Sequence, residues 1–498
     1  MMDIVLCIIP KIEPHAPTVG PGILKAHCES EGFSCTVLDF NIQLYRYLEK
    51  IGEANHFYYE DDSAFASWIT TGDMGFEFPD NWHELEDFIK PEAMNWIEQL
   101  KVLNPKYVGL SLLSRYSCAV GIYFCQLLRE HLPNSKIIIG GGAIREWNNI
   151  WLERGWVDYY VYGDGEVTLI ELLKGNTTHP GINSQNPYQT EDLSKLLVPN
   201  YDDIDWNSYA KDYSNRPVYI TASRGCVKKC DFCDVPKLWP QYRFRSGISV
   251  FNEIMELKTK YNRKTFRFTD SLVNGSMKAF RELLTELSNH NMSLNDGDHD
   301  NEIDWSSQWI VRPRSQMTED DFKLMKDSGC LELEVGIESF VERIRFEMGK
   351  KFTDDDMWWN FEMLDKYGIS FQLLMITGYV TETEEDHQQV LNSIRRFVSS
   401  GYAAGRRNRN GGGYFSFGNT LLLEQSLPIW QKYKDGIEHW NTELDWKYKD
   451  NTLATRLRRF KESNQLVNEL TGQVESWLIE KSEREYEEEL ERIKDGIK

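Results

Sequence analysis

Residues 218–240, VYITASRGCVKKCDFCDVPKLWP, constrain this chain more than any other stretch, because they set Cys226, Cys230 and Cys233 in the spacing C-x3-C-x2-C. Ahead of them Val218, Tyr219, Ile220 and Thr221 form a short β-branched and aromatic run that predicts a buried strand, which Arg224-Gly225 ends. Phe232 stands just before the last cysteine. A loop of this spacing can place three thiolates on three irons of a [4Fe-4S] cluster, which otherwise takes four cysteines. One iron is then open to a chelating ligand. A structural zinc site is the rival reading, but it wants four ligands, usually in C-x2-C or Cys/His pairs. The chain has no second pair, and Cys330 is the remaining candidate, far along the sequence. Three unrelated buried cysteines are the third reading, against which the spacing, the preceding Arg-Gly and the internal Phe all argue.

At 498 residues the chain exceeds one ordinary domain and predicts two or three. Its 41% hydrophobic content with 13% aromatics is that of a globular protein. Against 56 basic residues stand 78 acidic ones, and the net charge of -22 argues against nucleic acid as the main partner. The other six cysteines (Cys7, Cys28, Cys35, Cys118, Cys125, Cys330) lie singly in apolar or helical contexts, the usage of a reduced compartment. The N-terminal apolar run is too short for a signal and no run approaches a membrane span, so the expectation is a cytoplasmic protein with no membrane partner.

Residues 1–175 alternate strand and helix patterns. Strands are predicted at 3–9, 34–38, 107–111, 136–139 and 159–162, with helices at 23–31, 116–129 and 167–173. This is a Rossmann-like doubly wound domain, interrupted at about 41–98 by a mostly helical insertion whose aromatic residues read as core. Residues 176–215 read as a polar linker that still packs on something. From 216 to 425 the alternation resumes, with strands at 218–221, 265–269, 305–311, 331–337, 370–376 and 414–417 and helices between them. Six such units imply a partial (β/α)6 barrel, whose chemistry belongs at the C-terminal ends of its strands. Polar or special residues stand at those ends: Asp270 and Ser271, Arg312, Glu338 and Ser339, and Gly378. Residues 426–498 read as a helical C-terminal extension. The basic clusters, Arg456 to Arg459 and Arg406, Arg407 and Arg409, read as solvated faces, with an acidic partner such as a reductase as the alternative.

In its cysteine loop and in the motifs that follow, the chain resembles the radical S-adenosylmethionine (radical SAM) superfamily. The motifs VGIESF (335–340) and ITGYVTET (376–383) are similar to those that hold the cofactor's ribose and adenine, and FTDS (268–271) stands where the family meets the methionine amino group. The resemblance covers about 215–425 firmly. Over 1–175 it is looser, to the cobalamin-binding domain of one class of these enzymes, carried by the GDGE turn (163–166) and the proline-rich loop after the first strand. It implies a [4Fe-4S] cluster on the three cysteines and S-adenosyl-L-methionine on the open iron, with Asp270, Ser271, Arg312, Glu338, Ser339 and Gly378 binding the cofactor. An electron donor such as a flavodoxin or ferredoxin is implied too. The activity implied is reductive cleavage of S-adenosylmethionine to start radical chemistry, methyl transfer or rearrangement, on a substrate that the sequence does not name.

The chain departs from this class in lacking the D-x-H-x-x-G signature that supplies cobalt's lower ligand. Cobalamin without a protein histidine, cobalamin on His15, and no cobalamin therefore all stand open, the first slightly favoured. Two alternatives remain beside the main reading: a radical SAM enzyme without cobalamin, and a non-enzymatic iron-sulfur or regulatory protein, which would show a fourth protein ligand. The three sulfurs are expected to converge at the barrel mouth, and Asp270, Arg312, Glu338, Ser339 and Gly378 to line one cavity there.

Overall fold

The computed structural model describes residues 2–55, 57–58, 82–144, 149–209, 217–294, 301–403, 411–474 and 476–494. Its first strand, β1 (Met2–Ile8), shows why the N-terminal run is apolar without interruption. Side chains alternate between the faces of a strand, so Val5 and Cys7 enter one hydrophobic cluster while Ile4, Leu6 and Ile8 enter another. With β2 (Cys35–Asp39), β3 (Pro105–Ser111), β4 (Lys136–Gly140) and β5 (Tyr159–Tyr160) it forms a parallel sheet of order β2-β1-β3-β4-β5. The order reverses at β1 and β3, the switch point outside which such sheets bind ligands.

In the insertion, helices Phe40–Ile51 and Trp82–Leu103 are described, and Trp96 stacks on Phe40 with ring centroids 4.7 Å apart, both fully buried. Within the insertion Tyr45, Phe57, Tyr58 and Trp96 are buried, and its aromatic residues between 59 and 81 lie outside the described residues. The segment 176–209 is tied to this sheet domain: Asp203 accepts from Val37 N–H at 2.9 Å and pairs with Lys25 at 2.8 Å, and Asn200 N–H donates to Gly22.

Asp39 ends β2 and caps helix Phe40–Ile51 by accepting from Ile42 N–H at 2.9 Å and from the Tyr209 hydroxyl at 2.5 Å. Burial outweighs these bonds and pushes its carboxyl up to about 6. The folded state thus holds this proton more tightly than the unfolded chain does, whose value is about 3.9. Its contribution to stability is full below about pH 4 and is lost as pH rises through about 6. Asp39→Asn is expected to flatten the stability profile between those limits, by about 2 to 3 kcal/mol. Urea midpoints taken across that range check this.

The chain divides into two compact units: residues 1–225 with 235–245 and 252–267, and residues 226–234 with 246–251 and 268–498. After β6 (Val218–Ile220), the short antiparallel pair β7 (Ser223–Arg224) and β8 (Arg243–Phe244) brackets the cysteine loop in sequence. Then follow β9 (Thr265–Phe268), β10 (Asp304–Trp309), β11 (Cys330–Glu338), β12 (Ser370–Thr377) and β13 (Gly412–Thr420). The second sheet runs β13-β12-β11-β10-β9-β6, with β10 to β13 paired in parallel. Strands in sequence order across one sheet, with helices between them, give the winding of a partial (β/α) barrel.

Three helices of the second unit, Glu319–Asp327, Asp354–Lys366 and Glu384–Ser399, begin with the same device. Thr318, Thr353 and Thr383 each form a capping box with an aspartate three residues on, and acidic residues fill each first turn. This local signal makes the helices between these strands legible in the sequence. Helix Glu342–Met348 was not foreseen.

The C-terminal segment is a helical extension, as expected, with helices Leu453–Thr471 and Ser476–Lys494 following a short antiparallel pair, β14 (His439–Trp440) and β15 (Trp446–Lys447). The arginine cluster is a correction: Arg456 and Arg459 are not solvated, and Arg458 is half-buried between Glu384 and Glu462. Arg456 is fully buried, stacked 3.6 Å above Trp446 and donating to the carbonyls of Leu444, Trp446 and Asn451. Buried Arg459 pairs with buried Glu382 at 3.2 Å. A planar guanidinium with several donors suits such carbonyl-lined sites. Arg406, Arg407 and Arg409 lie outside the described residues. Among the described residues no helix is long and apolar enough to cross a membrane.

Candidate active site

The cysteine loop is held by its own backbone. Lys228 N–H points at Cys226 Sγ at 3.3 Å, and Cys233 N–H donates to the carbonyl of Cys230. Asp231 N–H donates to Met348, the last residue of helix Glu342–Met348, at 3.1 Å. Gly349 follows with φ +93, and a Cβ on it would stand 3.1 Å from Lys229 O and 3.5 Å from Cys230 Cα. Glycine is required there both by the left-handed backbone and by the approach of the loop.

Next to Gly349 lies Lys350, which sequence reasoning missed. It is buried, with Nζ 2.9 Å from Glu338 Oε1 and donating to Gly336 O at 2.9 Å. Burial works to lower its pKa, but Glu338 and the nearby Cys230 and Cys226 more than offset this, and the ammonium is held above its usual range. Burial likewise pushes the Cys226 and Cys230 thiols up, while Lys350 pulls both toward the thiolate. The Lys228 N–H, the Lys228 ammonium and Arg312 pull Cys226 the same way.

Glu338 is the end of β11 and has φ +64, a left-handed conformation that is strained for a residue with a side chain. The β11–β12 register shifts between Gly336 and Glu338. A Cβ on Gly336 would stand 2.8 Å from Glu338 Oε1 and 3.0 Å from Lys350 Nζ, so the VGIES glycine makes room for the ion pair. The predicted glutamate is thus at a strained strand end, but it arrives with a lysine partner.

The other predicted residues divide. Arg312 donates to the carbonyls of Asn274 and Gly275 at 2.5 and 2.8 Å, and Asn274 bonds both ways with Ile310. The turn after β9 and the end of β10 are therefore one stitched edge. Asp270 is buried within the segment after β9, and Ser271 is half-buried. Ser339 Oγ accepts from Val341 N–H and so serves its own turn. Gly378, with φ +80, donates to Glu382 at 3.0 Å, and a Cβ there would meet Arg456 at 2.4 Å. Its missing side chain makes room for the buried arginine. A groove along helix Glu384–Ser399, lined by Glu384, Gln388, Asn392 and Arg396 among others, shares no residue with this set.

Among the described residues no group of three His, Cys, Asp or Glu is set to hold one metal ion. A cluster asks for something else, because its thiolates bind three different irons and do not share one. The zinc reading loses its fourth ligand on topology. Cys330 is buried at the start of β11, whereas Gly336 and Glu338, which meet Lys350, stand toward the other end of that strand, about 20 to 26 Å along it at 3.3 Å per residue.

Within the first unit, the acidic residues of the GDGE turn pair with arginines on either side of the cysteine loop in sequence. Arg224, two residues before Cys226, donates to Asp164 at 2.6 Å and to Glu166 at 2.5 Å, and Arg243 bonds Asp164 as well. Asp164 also accepts from Thr190 N–H at 2.8 Å. Burial pushes the Asp164 carboxyl up, but the two arginines hold it below the usual carboxylate range. The turn clamps the strand that feeds the cysteine loop.

Residues 220–394 match the family model of the Radical SAM superfamily. The chain carries a radical SAM domain. Over 323 residues it is 22% identical to the anaerobic magnesium-protoporphyrin IX monomethyl ester cyclase of Cereibacter sphaeroides, covering 60% of this chain and 50% of the cyclase. It therefore spans half the length of that relative. It is 22% identical over 360 residues to an uncharacterized methyltransferase of Pyrococcus horikoshii, covering 67% of this chain and 73% of that protein. Two solved structures share the fold around the radical SAM domain. The radical S-adenosylmethionine methyltransferase TsrM of Kitasatospora setae, with cobalamin and a [4Fe-4S] cluster bound, aligns with TM-score 0.59 at 18% identity, over 86% of this chain and 77% of TsrM. The cobalamin-dependent S-adenosylmethionine radical enzyme OxsB aligns with TM-score 0.59 at 14% identity, over 80% of this chain and 52% of OxsB.

Proposed function

We propose that this chain is a radical SAM enzyme that holds a [4Fe-4S] cluster on Cys226, Cys230 and Cys233 and cleaves S-adenosyl-L-methionine reductively, to start methyl transfer or rearrangement on a substrate. The observation that carries this is the loop itself. Three cysteines outside any disulfide stand in C-x3-C-x2-C at the head of the matched domain, with an N–H aimed at one sulfur and a buried cation beside two of them. This donor set fits the cluster, since a nearby cation and an N–H···S contact favour the thiolate that iron needs. When bound, the cluster supplies an electron to the sulfonium of S-adenosylmethionine, whose cleavage gives methionine and a 5′-deoxyadenosyl radical. The chain's own part is to fix the loop, to neutralise charge beside it through Lys350, and to offer polar groups at the strand ends. Asp270, Ser271, Arg312, Glu338 and Ser339 are assigned to S-adenosylmethionine on this reading, and Gly378 contributes backbone alone. A one-electron donor of the flavodoxin or ferredoxin kind is required.

Protein reconstituted anaerobically with iron and sulfide, then given S-adenosylmethionine and dithionite, is expected to release 5′-deoxyadenosine and methionine in equal amounts. A fully loaded protein that releases neither would overturn the reading.

Cobalamin enters the proposal through the fold. The β1/β3 switch point offers a crevice of the right kind, and the TsrM and OxsB structures of similar fold carry the cofactor. Gly142 leaves room at that crevice, since an added Cβ would meet nothing closer than 3.8 Å. Gly141 does not, because its φ of +112 brings it against the Leu112 carbonyl, 2.4 Å from where a Cβ would stand. Titration with hydroxocobalamin is expected to give a bound spectrum unchanged by His15→Ala. No binding under anaerobic, reducing conditions would remove methyl transfer from the proposal and leave S-adenosylmethionine cleavage standing.

A further inference from the structure

Asp231 sits between the second and third cysteines, and none of its bonding groups is left to the loop alone. Its N–H donates to Met348 O, and its carbonyl accepts from Ile429 N–H at 2.9 Å. One carboxylate oxygen accepts from the Tyr379 hydroxyl at 2.7 Å and from Lys432 Nζ at 2.8 Å, while the other is buried with no hydrogen-bond partner. Ile429 and Lys432 both belong to helix Pro428–Tyr433, which opens the C-terminal extension. Lys432 Nζ reaches Glu347 O at 2.6 Å as well, at the foot of the helix whose end receives Asp231 N–H. Tyr433 closes the group, its hydroxyl 3.3 Å from both the Tyr379 hydroxyl and Glu347 Oε2.

We infer that Lys432 is a positioning residue for the cysteine loop: acting through Asp231, it fixes the segment that joins Cys230 to Cys233 and so sets the spacing the cluster needs. The inference rests on the proposed cluster site. The physical reason is that Asp231 is 12% exposed with one oxygen unpaired, so among the described residues the Lys432 ammonium is the only full positive charge bonded to it. Without that charge the carboxylate is a buried anion held by one hydroxyl, and the cheapest relief is for the loop to move Asp231 toward water. Such a movement drags Cys230 and Cys233 with it. Groups that orient ligands from behind typically contribute about tenfold to a hundredfold in metal affinity.

The test uses the full chain as wild type, Lys432→Met, Lys432→Arg and Tyr379→Phe, each reconstituted anaerobically, with iron retained under chelator challenge and the electron paramagnetic resonance spectrum of the reduced cluster as readouts. Lys432→Met is expected to lose iron about tenfold or more readily and to show a shifted, broadened spectrum. Lys432→Arg should restore both, and Tyr379→Phe should shift the spectrum with a smaller loss. Wild-type retention and spectrum in Lys432→Met would overturn the inference. Should that variant fail to fold, an unaltered Tyr379→Phe protein would overturn it equally. If wild type itself takes up no iron, the cluster reading fails, and the loop is read instead by alkylation of Cys230 and Cys233 in the metal-free protein. There Lys432→Met should react at least about tenfold faster, the effect of losing a charge-assisted hydrogen bond, and an equal rate would sink the positioning role by itself.

Discussion

Serine in place of Cys230 is expected to empty the site while leaving the fold intact. Cys230 is 8% exposed, and what ties it to its surroundings is backbone: its carbonyl accepts from Cys233 N–H, and its Cα lies against Gly349. Serine keeps all of that and fills nearly the same volume, so the circular dichroism spectrum and the melting temperature should stay near wild type. What changes is the donor. A hydroxyl has no accessible anion at neutral pH, and the positive charge of Lys350 nearby cannot make one. Iron content and brown absorbance are expected to fall to a small fraction of wild type, and 5′-deoxyadenosine formation to background. A variant that kept its full iron content would show that the cluster is held elsewhere.

The second large effect is one of stability and lies in the first unit. Arg224→Met removes the guanidinium that Glu166 and Asp164 share, and Arg243 remains for Asp164 alone. Glu166 is 5% exposed, so it is left as an uncompensated buried charge. Removing one member of a buried pair typically costs about 3 to 5 kcal/mol, whereas removing both members costs far less. Urea unfolding of Arg224→Met should show a loss of that order, and adding Glu166→Leu should recover much of it. A loss below about 1 kcal/mol in the single variant would place the pair among ordinary surface bridges. The network also predicts acid sensitivity. The Asp164 pKa is depressed in the folded state, so its contribution is present above the ordinary carboxylate value and is lost as pH falls through the depressed one. Asp164→Asn should flatten stability below about pH 4.

Much of the architecture was legible in the residues, and the helix starts of the second unit show why. Thr-x-x-Asp followed by an acidic turn and an amphipathic run closes a helix start by itself, as Thr383 and Asp386 do for Glu384–Ser399. The β1 run was legible because burial on two faces leaves no polar position from Ile4 to Ile8. The short helix Glu342–Met348 carries no side-chain cap bond, and it went unseen.

The sequence by itself determined the cysteine loop, the order of strands and helices, and which residues stand at strand ends. Those follow from chain-local chemistry: thiol spacing, periodicity of two or of 3.6, and capping. Only the tertiary structure decided partners. Glu338 faces Lys350, Gly378 yields its space to Arg456, the GDGE carboxylates clamp Arg224, and Asp231 is held by Lys432 from about two hundred residues away. A charged residue carries in its own identity the need for a counter-charge once buried, but the chain's path alone settles which one comes within reach. Arg456 and Arg459 make the point: as letters they read as a solvated basic stripe, and as a structure they are buried because Trp446, three carbonyls and Glu382 surround them.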